Sequence, residues 1–326
     1  MMNNKLLEVK NLKTHFKTRE GIVKAVDGID FKVDRNEILS IVGESGCGKS
    51  VTSRTIMGLI GHEKSEIVDG EVYFKGENLL KKSKEEMRNI RGDEISIIFQ
   101  DPMTSLNPVY TVGDQIAEVP IIHEKENKKS AFKRAIDMLK KVGIPSAEAR
   151  AKQYPHQFSG GMRQRGVIGM SLVCSPDLLI ADEPTTALDV TIQSQILKLL
   201  LKLREDMNSG IILITHNLGV VAEISDSVAV MYAGKLMEKA SVSDLFNKTS
   251  HPYTKGLLAS LPIPGKKKEL TPIEGQPPDL HDLPSGCRFS HRCPEAMEKC
   301  HKEAPPMFEV GENHYSACWL EGDKNE

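Results

Sequence analysis

Ser159-Gly160-Gly161-Met162-Arg163-Gln164-Arg165 opens a helical stretch, and its reading depends on a second glycine-rich run far upstream. That run, Gly43-Glu44-Ser45-Gly46-Cys47-Gly48-Lys49-Ser50, satisfies the phosphate-loop pattern at every fixed position. In a chain of this length a chance match is about a one-in-a-hundred event. The flanks agree with it. Ile38 to Val42 is a short apolar run of the buried-strand kind, and Ser50 to Ile60 reads as a helix ended by Gly61. Strand, loop and helix in that order turn backbone N–H groups and a helix N-terminus toward a triphosphate, with the Lys49 ammonium beside them. By itself Ser159 would be an ordinary helix N-cap, a position serine favours. Between Phe158 and the carboxylate pair that follows downstream, it reads instead as part of a nucleotide site.

Composition sets the outer bounds. The chain has 326 residues, 39% apolar and 27% charged, ordinary for one large or two modest globular domains. A net charge of −2 excludes a general cationic field for nucleic acid. No apolar stretch reaches the roughly 18 residues of a membrane span. The start, Met1-Met2-Asn3-Asn4-Lys5, lacks the apolar core of a signal peptide. Cytoplasmic ATP chemistry is the expectation.

Early runs (Leu6 to Val9, Val23 to Val33, Glu71 to Phe74) cluster or alternate β-formers, and Ile95 to Phe99 reads as a strand ending at Gln100. From Asp101 to Gln157 the pattern turns helical, with Phe132, Ala135, Ile136 and Leu139 on one face. Leu178 to Ala181 is again strand-like and stops at Asp182. A helix follows with Ile192, Ile196, Leu199, Leu200, Leu203 and Met207 on one side, stopped by Asn208-Ser209-Gly210. Ile211 to Thr215 is a further buried strand, ending at His216. The alternation implies an α/β fold with a mainly parallel sheet and ligands at the carboxyl ends of its strands. After about residue 250 the texture changes: seven prolines fall between Pro262 and Pro294, and four of six cysteines lie there. Residues 251–326 are therefore read as an appended element, not a second large domain.

The order phosphate loop, Ser159-Gly160-Gly161, Asp182-Glu183 resembles the ATP-binding cassette family, and the resemblance covers residues 1–250. It implies a P-loop ATPase core with an antiparallel β subdomain and a helical insert at about 101–160. It also implies roles. Gly43 to Val51 would hold ATP, with Phe16 stacking on adenine and Val51 standing where many relatives carry threonine. Ser50, Gln100 and Asp182 would ligate Mg²⁺. Glu183 would accept the proton of the attacking water, and His216 would contact the γ-phosphate. Ser159, Gly160, Gly161 and Gln164 would act in trans on a partner's nucleotide, and Thr186-Ala187-Leu188-Asp189 would form the D-loop across the dimer interface. Cys47 reads as a small filler. A single phosphate loop without internal repeats excludes a twin-cassette chain.

Three further stretches, Gln100 to Pro108, Tyr154 to Phe158 and His251-Pro252-Tyr253-Thr254, resemble ATP-binding subunits of bacterial dipeptide/oligopeptide and nickel importers. That implies a related second cassette as a heterodimer partner, two membrane permeases, an extracellular peptide-binding protein reached indirectly, and a place on the cytoplasmic face of the membrane. The alternatives are a nickel or other small-solute importer and a soluble cassette ATPase. The latter would show a basic patch, a long coiled-coil insert or two cassettes, and the sequence has none of these.

Cys287, Cys293, Cys300 and Cys318 are spaced too widely for the usual paired zinc ligands. Disulfides are disfavoured in a reducing compartment. Four thiolates can hold a [4Fe–4S] cluster, as the tails of some peptide-importer ATPases do; zinc and incidental cysteines are the alternatives. His291, His301 and His314 read as surface histidines, with substitution in a zinc site as their other use. A clip for a proline-rich tail is the role expected of a cluster. Being far in sequence from every phosphate contact, the tail is expected to leave ATP binding alone.

Overall fold

The structure is a computed structural model that describes residues 5–61, 66–100, 105–185, 189–261 and 272–322. Its strands in chain order are β1 (Lys5–Thr18), β2 (Gly21–Asp34), β3 (Ile38–Val42), β4 (Glu66–Phe74), β5 (Glu77–Asn78), β6 (Ile95–Ile98), β7 (Leu178–Asp182), β8 (Gly210–Thr215), β9 (Ser227–Tyr232), β10 (Lys235–Ser241), β11 (Phe308–Gly311) and β12 (His314–Ser316). The chain divides into two compact units. One comprises residues 1–6, 33–37 and 81–213, the other 7–32, 38–80 and 214–326.

In the first unit β6 and β7 run parallel, Ile95 opposite Leu178 and Ile98 opposite Ala181. β7 is buried along its whole length, as is β8, which explains why both read as continuous apolar runs instead of alternating ones. The helices Val112–His123, Lys128–Lys141 and Gly160–Leu172 pack on one another in this unit. On Lys128–Lys141 the buried face is Ala131, Ala135, Met138 and Leu139, with Phe132 and Ile136 at its margins. The covered stripe is thus rotated slightly from the one expected. The helix Val190–Met207 ends where Asn208 adopts a left-handed conformation, φ 52.

In the second unit β2, β1, β4 and β5 form an antiparallel sheet in that order. A second array runs β3-β9-β10-β12-β11: β3 and β9 are parallel, the remaining pairs antiparallel. Tail strands therefore extend the array whose other end, β3, leads into the phosphate loop. Val228, Val230, Tyr232, Leu245, Tyr253, Phe289, Cys287 and Cys300 share one hydrophobic cluster. Each large side chain buried there contributes about 1.5–3 kcal/mol. Among the described tail residues, Cys287, Phe289 and Cys300 are buried in this cluster.

The first helix after the phosphate loop spans Lys49–Ile56 and is shorter than its apolar pattern suggests. Gly58 takes φ 60, its N–H meets the Thr55 carbonyl at 2.9 Å, and the Leu59 N–H meets that of Arg54 at 2.9 Å. This paired closure satisfies the orphan carbonyls of the last turn. Gly58, not Gly61, is the stop.

Candidate active site

The phosphate loop joins β3 to the helix Lys49–Ile56 in the second unit. Two of its glycines are obligatory. A Cβ on Gly43 would lie 2.1 Å from the Met231 carbonyl oxygen, and one on Gly48 would lie 2.2 Å from that of Ala25, both at positive φ. The loop is thus pressed against neighbouring backbone. The Lys49 ammonium is buried and donates to the carbonyls of Gly43 (2.8 Å) and Glu44 (2.9 Å), with Cys47 Sγ at 3.7 Å. Cys47 fills space behind the loop, and burial raises its thiol pKa despite Lys49. Ser50 and Val51 are half-buried at the helix start. Phe16 lies within β1, opposite Glu66, and is partly exposed, so it is not a core phenylalanine. His216 follows β8 directly and is exposed.

In the first unit Asp182 ends β7 and is 3% exposed. Glu183 follows in a left-handed conformation, φ 48, which costs a non-glycine residue energy and marks a turn held by its surroundings. Gln100, exposed just beyond β6, donates its Nε2 to Glu183 Oε2 at 2.9 Å. Two residues far apart in sequence are thereby brought together, leaving the amide oxygen of Gln100 for a cation or water. Asp101 to Thr104, in the same motif, lie outside the described residues.

Ser159 caps the helix Gly160–Leu172, its Oγ accepting from the Met162 N–H at 3.3 Å. Ser159 and Gly160 are exposed and Gly161 partly so. Gln164 departs from expectation. It is fully buried, and its Nε2 donates to the Pro184 carbonyl, so it braces the Asp182–Pro184 turn from within its own unit. A side chain so enclosed is not presented to a second chain. Asp189 is an exposed N-cap, Oδ1 accepting from the Ile192 N–H at 2.9 Å; Thr186 to Leu188 lie outside the described residues.

These features coincide with known sequences. Residues 26–186 match the family profile described as ABC transporter. The dipeptide transport ATP-binding protein DppD of Bacillus subtilis is 53% identical over 99% of this chain and 96% of its own. The oligopeptide transport ATP-binding protein OppD of the same organism is 54% identical over 97% of this chain and 89% of its own. The chain belongs to the ATP-binding cassette family. Among solved cassettes, the dimeric post-hydrolysis state of MJ0796 bound to ADP and Pi has a TM-score of 0.65 at 28% identity. It covers 73% of this chain and 99% of that one. Residues 237–300 match a further profile, the oligopeptide/dipeptide transporter C-terminal region.

That C-terminal region of the cassette protein holds the surprises. Cys287, Cys293, Cys300 and Cys318 line one narrow pocket with His251, Phe289 and Trp319. Burial pushes the Cys287 thiol to about 11 and the Cys318 thiol to about 12, and the neighbouring cysteines add to both shifts. His251 caps the helix Pro252–Ala259. Its Nδ1 accepts from the Tyr253 N–H at 3.0 Å, so its proton sits on Nε2. Nε2 is buried and makes no hydrogen bond of good geometry, only a weak approach to the Ala317 backbone. His291 and His301 are exposed, their ring centroids 5.4 Å apart. His314, expected at the surface, is instead 3% exposed with Nε2 2.7 Å from Glu238 Oε1. Glu238 is wholly buried and also accepts from the N–H groups of Ser250 and His251.

Nor is the tail remote from the phosphate loop. Arg292 places both guanidinium nitrogens on the Glu44 carboxylate, at 2.7 and 3.1 Å. Tyr253 Oη accepts from the Glu44 N–H at 3.1 Å. Asp27 on β2 meets Arg288 at 2.6 Å, His15 at 3.1 Å and Lys235 at 3.8 Å. Sequence separation hid these contacts. The one available signal was the His251-Pro252-Tyr253-Thr254 motif, which carried a resemblance and no role.

Proposed function

We propose that this chain is the ATP-hydrolysing subunit that drives import of di- and oligopeptides through a membrane transporter. The Gln100–Glu183 pair on the turn after β7 carries the enzymatic part of the reading: it supplies an oriented carboxylate beside a buried Asp182. Phosphoryl transfer to water needs positioning and charge neutralisation more than covalent chemistry. Glu183 takes the proton of the attacking water, Gln100 orients Glu183, and Lys49 and the loop N–H groups hold the phosphates. His216 contacts the γ-phosphate and Phe16 the adenine. Ser50, Asp182 and the Gln100 amide oxygen are hard oxygen donors of the kind Mg²⁺ takes. Bound there, Mg²⁺ would neutralise charge on the β- and γ-phosphates.

Exposed Ser159 and Gly160 serve the nucleotide of a second cassette, and Asp189 lies at that interface. A groove of about 1000 Å³ in the first unit, lined by Tyr110, Ile121, Ile122, Phe132 and Met170, suits a permease segment. Tyr110 and Ile122 are 57% and 62% exposed there, the kind of apolar surface that marks a partner site. Among the described residues no helix is long and apolar enough to cross a membrane, so membrane attachment rests on that partner. Residues 1–250 act as the cassette and 251–326 as its extension. The peptide substrate is supported by the names of the full-length relatives. The test is uptake of labelled peptide by cells or vesicles carrying the chain with its co-purified membrane partners. Uptake should vanish in Glu183→Gln. Unchanged uptake, or purification without membrane proteins, would contradict the reading.

For the tail we propose a [4Fe–4S] cluster on Cys287, Cys293, Cys300 and Cys318. A single tetrahedral zinc would draw thiolates to about 3.8 Å from one another. What supports a four-thiolate site is that all four cysteines line one pocket. The His251 Nε2–H, lacking a good acceptor, suits a sulfur in this pocket. A bound cluster would supply four iron–thiolate bonds that clip the tail. Iron and sulfide analysis of protein purified without oxygen tests it.

A further inference from the structure

The phosphate loop contains a carboxylate. Glu44, its second residue, puts an acidic side chain into a loop read as holding a polyanion, and like charges at that range repel. The structure shows what offsets it. Arg292 meets the carboxylate with a two-point hydrogen-bonded pair, its side chain only 6% exposed. The guanidinium is itself fixed. It donates to Tyr232 Oη (3.1 Å), to the Glu274 carbonyl (2.9 Å) and to the Ile273 carbonyl (3.3 Å), and lies over the Tyr232 and Phe289 rings. Tyr253, packed 4.7 Å from the Tyr232 ring, holds the Glu44 N–H. Arg292 stands one residue before Cys293 on a turn in which the Arg292 N–H meets the Phe289 carbonyl and the Ser290 N–H that of Cys287. The turn that presents Arg292 is thus bounded by two of the four pocket cysteines.

We infer that Arg292 is a positioning residue for nucleotide binding: it neutralises and orients Glu44, so the phosphate loop's affinity for ATP depends on the order of the cysteine tail. This rests on the ATP reading of residues 43–50. With the pair intact, the Glu44 carboxylate is offset by Arg292. Without it, Glu44 is released to oppose the triphosphate.

The test is the dissociation constant of a fluorescent ATP analogue with Mg²⁺ on the full-length chain. Wild type should bind and Lys49→Ala should not; if wild type itself fails to bind, the ATP reading falls. Given that result, Arg292→Ala should weaken binding about tenfold, the scale of one charge-assisted contact. Adding Glu44→Gln should bring it back to within about threefold of wild type, since the repelling charge is gone. A purely structural role for Arg292 would not be rescued by a second change in the loop. Should Arg292→Ala fail to fold, Arg292→Lys carries the same test, weakened about threefold because one ammonium cannot grip both oxygens, and again rescued by Glu44→Gln. Wild-type affinity in a folded Arg292 variant, or a double variant no better than the single one, would overturn the proposal.

Discussion

The phosphate loop and the cysteine tail belong to the same unit and touch through Arg292 and Glu44, yet they are built in opposite ways. The loop is a local device: eight consecutive residues, two of them glycines that nothing larger can replace, shape a backbone cradle. The tail is a tertiary device. Its cysteines are spread from 287 to 318, its cap at His251 lies further upstream, and its core is borrowed from β9 and β10. A local device is cheap to recognise and intolerant of single changes. A distributed one is nearly invisible in sequence and degrades by degrees.

Lys49→Ala should show the largest effect, because it removes the cation the loop is folded around. Nucleotide binding should fall by about a hundredfold or more, the scale of losing a buried charge contact, and equilibrium binding measures it. Ser159→Arg sharpens the contrast within the cassette chemistry itself. On the proposal that Ser159 serves the other cassette, it should leave binding of ATP by the same chain unchanged and abolish turnover in the assembled transporter. Weakened binding in that variant would argue against action in trans.

The tail should respond more gently. On the proposed cluster, protein purified without oxygen should be brown with roughly four iron and four sulfide per chain, and Cys287→Ser, Cys293→Ser, Cys300→Ser and Cys318→Ser should each lose both. Cys47→Ser and Cys174→Ser should not. Cluster loss should open residues 272–322 to protease and weaken ATP binding by a few-fold through Arg292. A colourless anaerobic protein holding one zinc per chain would refute the cluster. Loosening of the tail with ATP affinity unmoved would instead separate the two regions.

The smallest effect should come from Asp27. Burial alone would raise its pKa, but Lys235, Arg288 and His15 outweigh burial and lower it. A carboxyl with a depressed folded pKa stabilises fully above its unfolded value of about 3.9 and loses that contribution as pH falls through the folded value. Asp27→Asn should therefore be less stable than wild type at pH 7, with the two converging below about pH 4. Denaturant midpoints across that range measure it. A constant gap down to pH 2 would mean that the Asp27 charge contributes nothing to holding the tail on β2.

What could be read in advance follows the same division. Strands β3, β7 and β8 were legible because they are buried along their length and apolar throughout. The phosphate loop and the Asp182-Glu183 pair were legible because their chemistry dictates consecutive residue types. The helix end at Ile56 was misplaced because Gly58 and Gly61 are equally permissive in sequence; only the Arg54 and Thr55 carbonyls choose between them. Gln164 looked like a surface residue beside Ser159, but the helix turns it inward onto Pro184. His314 looked exposed for want of any sign of Glu238, a buried acceptor 76 residues away. Arg292 had no local signature at all, since its partner belongs to a motif already fully explained by phosphate.

The most direct measurement concerns Glu183. Glu183→Gln keeps the size of the side chain and its contact to Gln100 but cannot take a proton from water. ATP should bind as it does to wild type, while turnover by the assembled transporter falls well below a tenth. Turnover retained above a tenth, less than about 1.4 kcal/mol of barrier, would show that another group is the base.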